Sequence, residues 1–276
     1  VEEKAMTIIA HHHLAKLNNL HNRGAKLHLL QMLTVHALRY GIMRPTLARL
    51  ALAGRYRHEN KLFYTVLTGN YDRLHPIRRQ LPNWRYVCFT DNPGLHCDGW
   101  EIRQIANPDG LDPGRLSRLY KIKHHLVDQG WSISVYADAN LAIRGDLDAF
   151  LAQALAPGSP LAIPFHPFLF SLRQEVEQCI VLGKDSEELL RAQYRHYTEE
   201  MGFSDPFPHI NARLLIRRTG DPEVVRLMDA WYHQLHQWSR RDQVAFNYAL
   251  SLCRKVEINY IPYWLFRRYF KRLDHR

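Results

Sequence analysis

Apolar and polar positions change their rhythm once along this chain. Over residues 1–58, Leu14, Leu17, Leu27, Leu30, Leu33 and Leu38 recur at roughly helical spacing, with breaks near Gly24 and Gly41–Pro45. That pattern predicts two or three helices, an N-terminal helical extension. From residue 61 short β-branched and aromatic runs alternate with longer amphipathic stretches. The predicted strands are Leu62–Leu67, Arg85–Thr90, Trp100–Ile105, Trp131–Tyr136, Leu161–Phe165, Ile210–Ile216 and Val256–Tyr260. The predicted helices are Pro113–Asp128, Leu147–Leu155, Ser186–Tyr197, Pro222–Trp238 and Asp242–Leu252, followed by a basic helical tail. Asp112 is placed to cap the first of these, with Pro113 at its first position. Strand–helix alternation predicts an α/β sheet over residues 59–276.

Composition narrows the classes. The chain has 276 residues, 46% apolar, enough for a sizeable core and too apolar for disorder. Its net charge of +10 points to anionic partners: phosphorylated substrates, an anionic membrane surface or nucleic acid. No recognised nucleic-acid motif is present, and aromatics are not interleaved with the basic clusters, so nucleic acid is not expected. Residues 1–58 carry nine Lys/Arg, two acids and seven histidines. Three readings stand for them: docking on a membrane surface, packing on a neighbouring domain, or a helical cap on the main domain. His11-His12-His13 point in different directions on a helix and read as a solvated cluster. The four cysteines form no CxxC pair, which disfavours a zinc site or disulfide scaffold and suits a reducing cytosol. No apolar run approaches the roughly 18–20 residues of a membrane span. The start has neither a secretory pattern nor an initiator Met, so a piece of a longer, multidomain chain is expected.

In open α/β sheets ligands sit beyond the carboxyl ends of the strands, so each predicted strand end is a candidate site. The central strand ends in Asp138-Ala-Asn140. In extended chain, residues i and i+2 point the same way, which would set a carboxylate and a carboxamide side by side. Such oxygens, with substrate phosphates, suit Mg²⁺ or Mn²⁺; the competing reading is a loop cap. The first strand ends in Thr68-Gly69-Asn70-Tyr71-Asp72. Gly69 permits a tight turn and Tyr71 could stack on a base, though an ordinary turn reads the same way. Asp91 could accept from a ribose hydroxyl or form an Asx-turn with Asn92-Pro93. Arg115, Arg118, Lys121 and His125 line one face of the predicted helix before the central strand, opposite Leu116, Leu119, Tyr120, Leu126 and Val127. A diphosphate would be neutralised by Arg118 and Lys121, unless the stripe is merely a solvated face. Asp146 reads as a helix cap. Asp242 is either a base or sugar binder in an acceptor pocket, or part of a capping box with Ser239. His166 is a candidate sugar contact, metal ligand or proton carrier, and His209 and Asn211 flank a strand start; an ordinary structural role competes for each.

These elements come in a telling order: Tyr64-Thr-Val-Leu-Thr-Gly-Asn-Tyr-Asp72, Cys88-Phe-Thr-Asp91, Ser117-Arg-Leu-Tyr-Lys121, Tyr136-Ala-Asp-Ala-Asn140 and Arg241-Asp-Gln243. Across residues 61–260 the chain resembles the TOD/MUCI-type glycosyltransferase-like family, once catalogued as a domain of unknown function. It is more loosely similar to glycogenin-type and lipopolysaccharide galactosyltransferase-type enzymes. The resemblance implies a GT-A-like fold, a single Rossmann-type mixed sheet flanked by helices, and a nucleotide-sugar donor. It also implies a glycan or glycolipid acceptor, as in surface-polysaccharide assembly. By that likeness Arg118 and Lys121 meet the donor phosphates, Asp138 and Asn140 flank Mn²⁺ or Mg²⁺, and Asp242 sits near the transferred sugar. From their own positions at strand and helix ends, Thr68, Gly69, Tyr71, Asp91 and Gln243 are added as donor contacts and His166 as a catalytic candidate. Two departures matter: Asn140 holds the second Asp position of the DxD-like motif, and no C-terminal His-x-x-Gly-x-x-Lys segment is present. The expected location is cytoplasmic, peripheral to the inner face of a membrane. The alternative is a basic polyanion- or membrane-binding module on an inactive transferase scaffold.

Overall fold

The computed structural model describes residues 55–253 and 256–274. The helices expected in residues 1–58 lie outside the described residues except for 55–58, which form turns. The chain folds as a mixed α/β structure around a seven-stranded, mostly parallel sheet. Its strands are β1 (Lys61–Leu67), β2 (Trp84–Thr90), β3 (Glu101–Gln104), β4 (Ile133–Ala137), β6 (Leu161–Pro164), β7 (Leu214–Arg218) and β8 (Ile258–Ile261), in the order β3-β2-β1-β4-β7-β6-β8. Two further strands, β5 (Leu141–Ile143) and β9 (Phe270–Arg272), form a separate antiparallel ribbon. β2 and β4 both run parallel to β1, whereas β7 runs antiparallel to β4 and β6. The chain steps outward from β1 to β2 and β3, then crosses back to place β4 on the other side of β1. The connection order therefore reverses between β1 and β4, which is where this class of sheet opens a crevice.

The helices are α1 (Pro113–Ile122), α2 (Leu147–Ala154), α3 (Leu172–Val181), α4 (Glu187–Arg195), α5 (Pro222–Gln237), α6 (Asp242–Leu252) and α7 (Tyr263–Tyr269). Alternation along the strands decides which face each helix covers. Leu62, Tyr64 and Tyr136 point to one face and pack with Ile122 of α1, Trp231 of α5 and Phe246 of α6. Phe63, Ile133 and Val135 point to the other, against Phe150 of α2 and Phe266 of α7. β1 is buried along its whole length, as a central strand covered on both faces must be. Its first residue, Lys61, is buried too, with its ammonium donating to the Tyr56 and Glu59 carbonyls and 3.4 Å from Asp148. A third apolar cluster packs α3 and α4, through Leu172, Val176 and Leu190, onto Val244 and Tyr248 of α6.

Three departures from the sequence reading have physical causes. The first helix stops at Ile122 rather than Asp128 and passes into a 3₁₀ turn, His124–Leu126. Its Lys121 carbonyl accepts from Arg217 Nη2 at 2.9 Å and from the Tyr64 hydroxyl at 3.2 Å. The fully buried Arg217 thus serves the helix C-terminus, where a cation is favoured. β7 starts at Leu214 instead of Ile210, because the Asn211 and Ala212 amides donate to the Pro164 carbonyl and the Gln243 side chain. α3 escaped the sequence reading because its inward stripe contains a charged residue, Glu175, beside Leu172, Val176 and Cys179. The basic tail is a short helix that turns into β9. Asp146 does cap α2, accepting from the Ala149 amide at 2.9 Å.

Arg217 also donates to the Tyr64 hydroxyl at 2.9 Å, so one guanidinium ties β7, β1 and α1 together. Arg217→Met should lower the unfolding free energy by about 3 kcal/mol, the scale for breaking a buried charged network. Urea denaturation measures it, and a loss below about 1 kcal/mol would mean the guanidinium is not a structural tie.

Candidate functional site

α1 is held in place before it offers any chemistry. Asp112 caps it, accepting from the Arg115 amide at 3.2 Å. The loop after β1 packs against its first turn. Thr68 Oγ1 donates to the Pro113 carbonyl at 2.6 Å. Gly69 lies at φ +63°, and a Cβ there would fall 2.6 Å from Pro113 Cβ, so only glycine fits. Asp91, at the end of β2, accepts the Gly69 amide with both oxygens, at 3.0 and 3.1 Å. Thr68, Gly69 and Asp91 therefore join the β1 and β2 ends to the N-terminus of α1. Tyr71, in the same loop, is 70% exposed.

The cationic stripe of α1 divides by function. Arg115 reaches back to the C-terminus of α5, donating to the Leu235 and Trp238 carbonyls. Arg118 and Lys121 reach Asp242 at the start of α6. Lys121 Nζ is 2.6 Å from Asp242 Oδ2 and Arg118 Nε is 3.4 Å from the same oxygen. The other oxygen, Oδ1, accepts the Gln243 amide at 3.1 Å. Asp242 thus pairs with two cations at once from the first turn of α6, and the capping box with Ser239 does not form, because Arg241 precedes the helix and its amide takes the Ser239 hydroxyl. Trp231 Nε1 donates to the Asp242 carbonyl at 2.8 Å and fixes this corner to α5.

Asp138, just past the end of β4, completes the group. Its Oδ1 accepts from the Tyr136 hydroxyl at 2.7 Å and lies 3.7 Å from Lys121 Nζ. Lys121 also sits 5.0 Å from the centre of the Tyr136 ring. Arg213 feels Asp138, Asp242 and Arg272 electrostatically; burial first, then Arg272, lowers its pKa. The side chains grade from wet to dry: Asp138 is 32% exposed, Arg118 24%, Asp242 6% and Lys121 2%. Burial opposes ionisation of Asp242, but the charges of Lys121, Arg118 and Arg241 outweigh it and hold the carboxyl well below its usual range.

Asn140 goes elsewhere. β4 ends at Ala137, and the Leu141 amide donates to the Asp138 carbonyl at 2.9 Å, so Asp138–Leu141 is a turn. The i, i+2 rule for extended chain no longer applies there. The Asn140 side-chain Nδ2 donates to the Leu273 carbonyl at 3.3 Å, and the Leu273 amide donates to the Asn140 backbone carbonyl at 2.8 Å. Asn140 fastens the tail beside the β5–β9 ribbon.

A second buried network adjoins the first. Glu175 Oε2 lies 3.2 Å from both His209 Nε2 and Gln243 Nε2, and Cys179 Sγ lies 3.4 Å from Glu175 Oε1. Burial raises the Glu175 pKa, but the His209 hydrogen bond and the charges of His209 and His166 reverse this and leave it lowered. The His166 ring stands 5.6 Å from that of His209. His166 Nδ1 accepts the Phe168 and Leu169 amides at 3.2 and 2.8 Å, which places the neutral ring's proton on Nε2. Gln243 joins the networks, since it follows Asp242 in sequence. Asn211 Oδ1 accepts the Arg213 amide at 3.3 Å.

The structure thus brings together Arg118, Lys121, Asp138 and Asp242, and separately His166 with the Gln243 side chain's partners. The sequence reading missed Tyr136, Arg213 and Glu175. Alternation along β4 places Tyr136 two residues before Asp138, and a lone Arg in an apolar run marks Arg213; nothing local marks Glu175. An apolar groove of about 690 Å³, lined among others by Phe203, Phe207, Tyr248 and Tyr260, lies along the later half of α6. Among the described residues its lining holds no carboxylate or cation, and it lies apart from the charged cluster. No protein-family model and no curated protein matches the chain.

A carboxyl with a depressed folded-state pKa adds stability above its unfolded value, about 4, and loses it as pH falls below. Wild type should exceed Asp242→Asn in stability at neutral pH, and the gap should close between about pH 5 and pH 2. Urea midpoints across that range test this, and a gap independent of pH would refute it.

Proposed function

We propose that the protein is a GT-A-type glycosyltransferase, related to the TOD/MUCI-type family, that moves a sugar from a nucleotide-sugar donor to a hydroxyl of a glycan or glycolipid. The transfer releases a nucleoside diphosphate and a proton. One observation carries the reading: Arg118 and Lys121 meet Asp138 and Asp242 beyond the carboxyl ends of β1 and β4, where the connection order reverses. A guanidinium and an ammonium side by side match a pyrophosphate, and they stabilise the charge that grows on the departing diphosphate.

The residue roles follow from chemistry. Arg118, partly exposed, receives the phosphates first; Lys121 forms the floor. Tyr71, exposed at the rim, offers a face for the base. Thr68, Gly69 and Asp91 set the loop that carries it. Asp242 binds sugar hydroxyls rather than protons, because a carboxylate held so strongly ionised is a poor base. His166, beside His209, lines the acceptor side of the site, and Gln243 steadies the floor between the two networks. A polymer-binding module would display its cations, whereas Lys121 is buried and already engaged by carboxylates. Among the described residues no helix is long and apolar enough to cross a membrane.

Calorimetric titration with UDP, GDP and CMP, in Mn²⁺ and in EDTA, should give saturable binding of at least one nucleotide. Arg118→Ala should weaken it by about tenfold, the worth of one charge-assisted contact. Asp138→Ala should remove sugar transfer while the protein stays folded. No binding of any nucleotide in either buffer would sink the assignment.

A further inference from the structure

We propose that this site grips its nucleoside diphosphate without a divalent metal, the Lys121 ammonium standing where the metal would be. The inference rests on the glycosyltransferase reading and concerns how that same site handles charge.

The residues present do not fit a bound dication. The second ligand that the Asp-x-Asn spacing promised is turned toward the tail, because past the end of β4 the Asn140 side-chain nitrogen donates to the Leu273 carbonyl and the Asn140 backbone carbonyl accepts the Leu273 amide. The two carboxylates that do converge, Asp138 and Asp242, already have a cation between them. Lys121 Nζ lies 3.7 Å from one and 2.6 Å from the other. A dication placed against Asp138 would press on that ammonium, with the Arg118 guanidinium close behind it on Asp242. Among the described residues, no group of three His, Cys, Asp or Glu side chains is placed to hold a metal.

Lys121 also has what a stand-in for an ion requires, a fixed position. Its carbonyl is held by Arg217 and Tyr64, its ammonium lies against the Tyr136 ring, and its side chain is 2% exposed. A buried ammonium with three donors can keep Asp242 and still offer hydrogen to a phosphate oxygen. Arg118 supplies the second charge. Together they carry the two positive charges that a magnesium or manganese ion would bring, spread over atoms that the backbone holds in place.

The test compares UDP and GDP affinities in EDTA and in MnCl₂ for the wild-type chain. The expected gain on adding Mn²⁺ is below about fivefold, under 1 kcal/mol. A larger gain overturns the inference and leaves the transferase reading intact, whereas failure to bind in both buffers removes both. In EDTA, Lys121→Met should bind UDP and GDP at least about tenfold more weakly than wild type, with Lys121→Arg closer to wild type. Unaltered binding by Lys121→Met in EDTA overturns the inference. Should that variant fail to fold, the wild-type comparison decides alone.

Discussion

Arg217 sits at the centre of the protein's polar architecture. From β7 it reaches across the sheet face to the Tyr64 hydroxyl on β1 and the Lys121 carbonyl at the end of α1. A buried guanidinium is costly unless its donors are met, and here Nη1 and Nη2 are met by groups that must be in register for the sheet and the helix to fit. The same contact ends α1 where it does. In a longer helix the Lys121 carbonyl would accept an amide one turn on; here it accepts Arg217 and Tyr64 instead. Position of the helix, burial of the ammonium and the reach to two carboxylates follow from one charged side chain on a neighbouring strand.

Charge is arranged in two tiers around that point. The inner tier is compensated: Lys121 with Asp242, and Glu175 with His209, each pair deep in the protein. The outer tier, Arg118 and Asp138, is partly open to water. Inner pairs hold their geometry because separating them would leave a bare charge in a medium that solvates it poorly. Outer groups can change partners at little cost. A phosphate-bearing ligand can therefore displace water and surface contacts without dismantling the floor beneath it.

Much of this was legible in the amino-acid order. Buried strands such as β1 and β2 announce themselves as apolar runs, and α1 by its cap, its proline and its two-sided stripe. The meeting of Arg118 and Lys121 with Asp138 follows from the rule that ligand sites lie beyond strand ends. Asn140 did not follow, because the alternation rule holds only within a strand and β4 stops at Ala137. Glu175 and Arg217 did not follow either. Each is a charged residue in an apolar setting, and its reason is a partner far away in sequence: His209 for one, Tyr64 for the other. Local pattern shows that such a residue is unusual and cannot say whom it meets.

The stitch between Asn140 and Leu273 spans 133 residues of chain. A contact so distant waits until residue 273 has left the ribosome. Every strand of the seven-stranded sheet precedes that residue in sequence, so a nascent chain can hold the sheet before the corner beside Asp138 is tied down.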